Sequence, residues 1–223
     1  MHQRKSKKIL VYFFLLIAVS SISNNSFNNL KLSQIQNINI SGLDQKDNKI
    51  LLVKIKNLIN ENIFFINKNE IIKLIEVNSL IEKYQVFKKY PSTISIDIKK
   101  TNFFAKISKN NRIFFIGSNG KLTLAENPND DLPYIFGKPN IKEFLKFKQI
   151  IDKSKFNYKQ IDNLYFFPSN RWDIKFKENI LLKLPLNFTL ENLDHLYDFL
   201  ENNNGKNFAV VDYRIKDQII LNE

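Results

Sequence analysis

The first thirty residues constrain this chain more than anything after them. Met1–Lys8 holds Arg4, Lys5, Lys7 and Lys8 with no acid, and it runs directly into the apolar stretch Ile9–Val19. A basic flank ahead of an apolar run marks a segment that enters a membrane and leaves its N-terminus in the cytoplasm. Everything from about Lys31 onward is then expected in the cell envelope. The run extends weakly through Ser20, Ser21 and Ile22. As a helix it covers about 21 Å against a hydrocarbon core of roughly 30 Å, which favours the core of a signal peptide. Ala18-Val19-Ser20 offers a small-x-small cleavage pattern. Against that, no charge appears from Ile9 to Leu30, as a longer span requires. The residues leave anchor and cleaved signal both open.

The remainder is long enough for one large domain or two small ones. A hydrophobic fraction of 43% excludes a mostly disordered protein, and zero cysteine excludes a disulfide scaffold or thiolate metal sites. The net charge of +12 invites a nucleic-acid reading. Four of those charges sit in the N-terminal tip, and the other lysines are scattered without an Arg-rich block or an aromatic-basic motif, so no nucleic-acid partner is expected.

Catalytic chemistry has little to work with. The two histidines are His2, in the tip, and His195, on the polar side of a helical pattern. Five glycines supply no phosphate-cradling loop, and no serine sits in a nucleophile elbow. Asp130-Asp131 lies in a Pro-Asn loop and reads as a solvated pair. No enzyme, cofactor, metal or small-molecule substrate is expected.

Hydrophobic periodicity gives an α+β chain. A short strand covers Ile35–Gly42. Helical patterns follow over Asp47–Ile59 and Asn69–Val77, then strands over Lys83–Tyr90 and Thr93–Lys99 around a Tyr90-Pro91-Ser92 turn. Phe87-Lys88 breaks the phase of the first of these strands. The order strand, helix, helix, strand, strand fits a mixed three-stranded sheet with both helices on one face. From Phe103 the texture changes to short strands: Phe104–Ser108, Arg112–Ile116, Lys121–Leu124, Asn163–Phe167, Trp172–Phe176, Ile180–Leu184, Asn207–Tyr213 and Gln218–Leu221. Helices are expected over Ile141–Asp152 and Leu190–Asn202, the second stopped by Gly205.

In this order the elements resemble the FtsQ/DivIB family of bacterial division proteins, most of all its alphaproteobacterial form. Residues 31–102 resemble a POTRA domain through Ile38-Asn39-Ile40-Ser41-Gly42, Asn62-Ile63-Phe64-Phe65-Ile66 and Tyr90-Pro91-Ser92-Thr93-Ile94. Residues 103–223 resemble the family's mainly antiparallel β-domain with flanking helices. Phe104-Ala105, Ile116–Lys121, Leu132–Gly137, Arg171-Trp172-Asp173, Leu182–Pro185 and Val211-Asp212-Tyr213-Arg214 stand where family motifs stand. The resemblance implies a non-catalytic scaffold at the division septum, with residues 1–8 cytoplasmic, 9–30 a single-pass anchor in the inner membrane, and the rest periplasmic. It implies FtsB and FtsL as partners. Gly42, Pro91, Arg171, Trp172, Asp173 and Pro185 are then structural, with the Trp172 ring in the β-domain core.

The docking site is expected at the edge of the last sheet-forming stretch, where strand addition could complete unpaired backbone groups. The candidate contacts are Tyr213, Ile215, Gln218, Ile219, Ile220 and Leu221, with Ile219 and Leu221 on one face and Ile220 on the other. The alternative is an envelope POTRA protein of protein translocation or outer-membrane assembly.

Overall fold

The structure is a computed structural model and describes residues 3–22, 34–58, 63, 66–126, 131–203, 208–215 and 218–222. The basic tip and apolar run form one helix, α1 (Gln3–Ile22). Every residue from Ile9 to Leu16 is more than half exposed. Among the described residues no helix is long and apolar enough to cross a membrane. The second part of the expected span, residues 23–30, lies outside the described residues, as do Asn62, Asp130 and the helix stop at Gly205.

The chain divides into two compact units, Met1–Ile75 with Tyr84–Ile98, and Glu76–Lys83 with Lys99–Glu223. The first is built from β1 (Asn37–Ser41), α2 (Gln45–Leu58), α3 (Lys68–Val77), β2 (Ile81–Lys89) and β3 (Thr93–Lys100). Its sheet order, β1-β3-β2, places the last strand in the middle. β1 runs parallel to β3 with Ile38 opposite Ile94 and Ile40 opposite Ile96, so the isoleucines of both strands share a face. Leu51 and Ile55 of α2 and Ile71 and Ile75 of α3 are buried, whereas Ile50 and Val53 of α2 are exposed.

Two positions of this unit carry a backbone requirement. Gly42 has φ +103°, and a Cβ there would lie 1.7 Å from the Ile98 carbonyl oxygen, so no other residue fits where β1 ends. Pro91 follows a cis peptide bond in the β2–β3 hairpin. The break of phase expected at Phe87-Lys88 is absent: β2 alternates without interruption, with Phe87 exposed and Lys88 half-buried. The Lys88 ammonium reaches back to the Ile66 carbonyl at 3.4 Å, so its long stem occupies the inward position that an apolar residue would otherwise fill.

The second unit carries a nine-stranded sheet among the described residues, in the order β12-β11-β10-β9-β8-β7-β4-β5-β6. Its strands are β4 (Phe103–Lys109), β5 (Arg112–Gly117), β6 (Leu122–Leu124), β7 (Tyr134–Phe136), β8 (Ile161–Phe166), β9 (Trp172–Phe176), β10 (Leu181–Lys183), β11 (Val210–Asp212) and β12 (Ile220–Asn222). Two helices accompany them, α4 (Ile141–Lys153) and α5 (Leu190–Asn202). α4 starts on Asn140, whose side chain accepts from the Lys142 N–H, and α5 on a capping box between Thr189 and Asn192.

The pairings β4–β7, β7–β8 and β10–β11 are parallel, so the sheet is more mixed than expected. Parallel neighbours need a crossover, and α4 and α5 supply it between β7 and β8 and between β10 and β11. The register aligns Ile107, Ile135, Leu164, Ile174, Leu182 and Val211 in one row, all buried. Phe144, Phe147 and Ile151 of α4 and Leu193 and Leu196 of α5 belong to the same core.

This unit also takes in the turn before β2. The Asn119 amide donates to the carbonyls of Ser79 (2.8 Å) and Ile81 (2.9 Å), and the Thr101 N–H donates to Leu80 (2.9 Å). Asn119 thus does more than shape the Gly117–Gly120 turn. Its side chain also ties the turn before β2 to the Gly117–Gly120 turn.

Candidate partner-binding edge

β12 is one edge of the large sheet. It pairs antiparallel with β11, setting Asn222 opposite Val210, Leu221 opposite Val211 and Ile220 opposite Asp212. All three of its residues are exposed, Ile220 at 51% and Leu221 at 40%. The preceding Ile219 is half-buried and packs on the core, while Ile215 and Gln218 are exposed.

Tyr213 must be corrected. It is buried at 7% in the core beneath α5, its N–H donates to the Lys183 carbonyl at 2.9 Å, and its ring lies 6.4 Å from that of His195. Val211 and Tyr213 are two residues apart in extended chain and point to one side, so the residue that seals the core at Val211 commits Tyr213 to it as well. Leu221 shares a side with Ile219 but stays exposed. His195 is exposed and lines a cleft with Glu191, Asn192, Tyr213 and Ile219.

The face of the sheet opposite the helices joins this edge to the Arg-Trp-Asp segment. Asp173 of β9 stands opposite Lys183 of β10, Lys183 opposite Asp212 of β11, and Asp212 opposite Ile220 of β12. An arginine flanks each end. Arg171 donates Nε–H to Asp173 at 3.1 Å, and Arg214 donates to both oxygens of Asp212 at 2.8 and 2.9 Å. The row alternates in sign, each acid answered by a base across the strand gap.

The two acids respond oppositely. Burial pushes the Asp173 carboxyl up, and Arg171 only partly offsets that. The Arg214 guanidinium hydrogen-bonded to Asp212 holds that carboxyl below the usual carboxylate range. Lys183 and the Asp212–Arg214 pair were legible only as motif neighbours; their shared row depends on cross-strand register.

Trp172 points to the other face. It is 4% exposed, with ring centroids 4.5 Å from Phe147 and 4.8 Å from Phe166. Pro185 is half-buried just after β10, while Gly42 and Pro91 belong to the first unit. A second buried charge supports α4. The Lys148 ammonium lies 4.0 Å from the Tyr158 ring centroid and 4.6 Å from that of Phe104, with Asp152 at 2.6 Å. Tyr158 donates its hydroxyl to the Phe104 carbonyl at 2.9 Å, and burial raises its pKa far above the ordinary value. Among the described residues no group of three or more His, Cys, Asp or Glu could hold a metal ion.

The small sheet, with its strand-helix-helix-strand-strand order, is POTRA-like, and residues 33–100 match the family described as POTRA domain, FtsQ-type. Over that stretch the chain is similar to FtsQ-type POTRA domains. It is similar to the cell division protein FtsQ of Rickettsia bellii, 25% identical over 199 residues that cover 84% of this chain and 72% of that protein. It is also similar to the cell division protein DivIB of Clostridium botulinum (strain Loch Maree / Type A3), 32% identical over 125 residues, 54% of this chain and 46% of the relative. The chain thus spans about half the length of that clostridial relative. Among solved structures, the major extracytoplasmic domain of DivIB from Geobacillus stearothermophilus aligns at TM-score 0.34 and 12% identity, over 48% of this chain and 98% of that one.

Proposed function

We propose that this chain is a non-catalytic, membrane-tethered scaffold of the division machinery that receives FtsB, and through it FtsL, at the β12 edge. The observation that carries the reading is β12 itself, an edge strand exposed along its described length. An open edge offers backbone donors and acceptors that an incoming strand completes, and exposed Ile220 and Leu221 give that strand an apolar surface. Ile215, Gln218 and Ile219 extend the same surface.

α1 supplies the start of the membrane anchor. Its basic tip stays in the cytoplasm and its apolar residues face lipid all round, as their exposure suits. Residues 31–102 form the POTRA domain and 103–223 the β-domain, both periplasmic at the septum. N-terminal sequencing of the mature protein tests the anchor: a start at Met1 is expected, and a start near Ser21 would mean a processed, soluble protein.

The docking site is tested with Leu221→Pro, which removes an outward-facing backbone donor from β12, since Tyr213 bonds to β10 and the alternation along β11 turns Ile220 inward and Leu221 outward. Co-purification of FtsB should fall steeply while circular dichroism stays unchanged, and cells relying on the variant should form filaments. A folded variant that retains FtsB at wild-type yield places the site elsewhere.

A further inference from the structure

We propose that the outer face of α2 is a contact for anionic phospholipid, which lays the first unit against the bilayer surface. The inference rests on the reading of α1 as an anchor.

α2 buries one side and leaves an unusual other. Leu51 and Ile55 are at 2% and 0% exposure. Ile50 and Val53 then point away from the core, at 46% and 55% exposure. At about 100° per residue, Lys46, Ile50, Val53 and Asn57 fall within an arc of roughly 60°. Lys49 and Lys56 flank that arc on one side and Lys54 on the other, all exposed. Asp47, half-buried in the first turn, is the single acid of the helix, and Asp44 precedes it.

Isoleucine and valine are poorer helix formers than the lysine or glutamate an exposed position normally takes, because branching at Cβ freezes χ1 against the preceding turn. At positions 50 and 53 that cost is only partly offset, because about half of each side chain stays exposed. Two adjacent apolar side chains between lysine flanks form the pattern of a helix lying in a membrane interface, aliphatic tips among the acyl chains and ammonium groups at the phosphates.

Charge decides the occupant. The exposed face carries lysines alone, and each lysine near an anionic surface is worth about fivefold in partitioning. So few groups would bind weakly from free solution. From the end of α1 to the start of β1, however, is the stretch from Ile22 to Asn37, at most about 50 Å of extended chain. A tether of that length raises the effective concentration of bilayer at the patch, so a weak surface suffices.

The chain has no cysteine, so single reporters can be introduced without removing any. Full-length Val53→Cys, Leu15→Cys and Gln85→Cys, each labelled with an environment-sensitive fluorophore, are reconstituted into vesicles of phosphatidylcholine, with or without phosphatidylglycerol, containing a lipid-borne quencher. The probe at position 53 should be quenched with phosphatidylglycerol and several-fold less without it, while the probe at exposed Gln85 on β2 stays in water. Neutralising one lysine, as in Lys54→Gln, should lower the quenched fraction up to about fivefold. Lys49→Glu with Lys54→Glu and Lys56→Glu should abolish quenching at unchanged circular dichroism.

The probe at Leu15 separates the two readings. Quenching at 15 with position 53 left in water overturns the α2 contact and keeps the anchor. Quenching at 53 but not at 15 keeps the contact and removes the anchor. A blue shift at 53 without lipid quenching, equal in both vesicle types, means contact with another protein copy and overturns the proposal. So does protection at 53 only on adding a soluble anionic wall polymer.

Discussion

The two units solve the same packing problem with different side chains. In the first, the buried apolar residues are Leu43, Leu51, Ile55, Ile63, Ile71, Ile75, Ile94, Ile96 and Ile98, all aliphatic among the described residues. In the second, Phe144, Phe147, Phe156, Trp172, Phe176 and Tyr213 stand among the aliphatics, often ring against ring. Three strands and two helices leave a thin core, and a stiff isoleucine fills a shallow gap with little rotamer entropy to lose. A nine-stranded sheet with its helices encloses more volume, which rings fill in fewer pieces. The difference teaches where each unit is fragile. An aliphatic core is a sum of small terms, whereas an aromatic core leans on a few large ones.

The largest effect should come from Trp172→Ala. Removing a ring that touches Phe147 and Phe166 leaves a void its neighbours cannot close, at about 3–5 kcal/mol. Urea unfolding followed by circular dichroism measures it, and a cost below about 1 kcal/mol would dissolve the distinction between the cores.

Arg171→Ala comes next, at about 2 kcal/mol, less than a fully buried pair because the arginine side chain is 23% exposed. Adding Asp173→Asn should recover most of the loss, since the isolated buried carboxylate is what costs. The pH dependence carries a sign check. The carboxyl of Asp173 is raised in the folded state, so the folded protein holds that proton more tightly. Its contribution is most favourable below the ordinary carboxylate range and declines as pH rises through the raised value. Asp212 is lowered, so its contribution is present above that range and lost as pH falls through the depressed value. Asp173→Asn should therefore flatten the loss of stability on raising pH, and Asp212→Asn the loss on acidification. Matching slopes in both variants would mean the row titrates as one unit.

Ile96→Val should cost about 1 kcal/mol, read from amide exchange in β1 and β3, where its partner is Ile40. A cost near that of Trp172→Ala would show that the aliphatic core also hangs on single residues. Phe87→Ser should change stability by less than about 0.5 kcal/mol despite losing a ring, because that ring faces outward.

Much of this was legible in sequence wherever the signal was local. The helices Leu190–Asn202 and Ile141–Lys153 emerge from apolar spacing to within a residue, and their caps sit in the chain as Thr189 and Asn140. β7 was missed as a strand because Tyr134–Phe136 is three residues between Pro133 and Gly137, too short to show a period. The parallel pairings were invisible because register between distant strands leaves no local mark. At the edge, alternation sets Ile219 and Leu221 on one face and Ile220 on the other, with one face expected on the core, yet both Ile220 and Leu221 are exposed. Tyr213 was assigned to the surface by its place near the last strand, although its spacing from Val211 carried the opposite message. Phe87-Lys88 reads as a break of phase by hydrophobicity alone, because the ring lies on the exposed side of β2 and the lysine stem on the other.

The left-handed turns have a consequence for how such chains are recognised. Among the described residues, three glycines have positive φ, and so do Asn110, Asn111, Asn170 and Asn179. Asparagine tolerates that region better than most residues because its short amide can bond to nearby backbone. A search that equates hairpin corners with glycine would overlook the corner at Asn170, immediately before Arg171-Trp172-Asp173, and the one at Asn179 between β9 and β10. What these corners share is the sign of one torsion angle, and glycine and asparagine are two spellings of it.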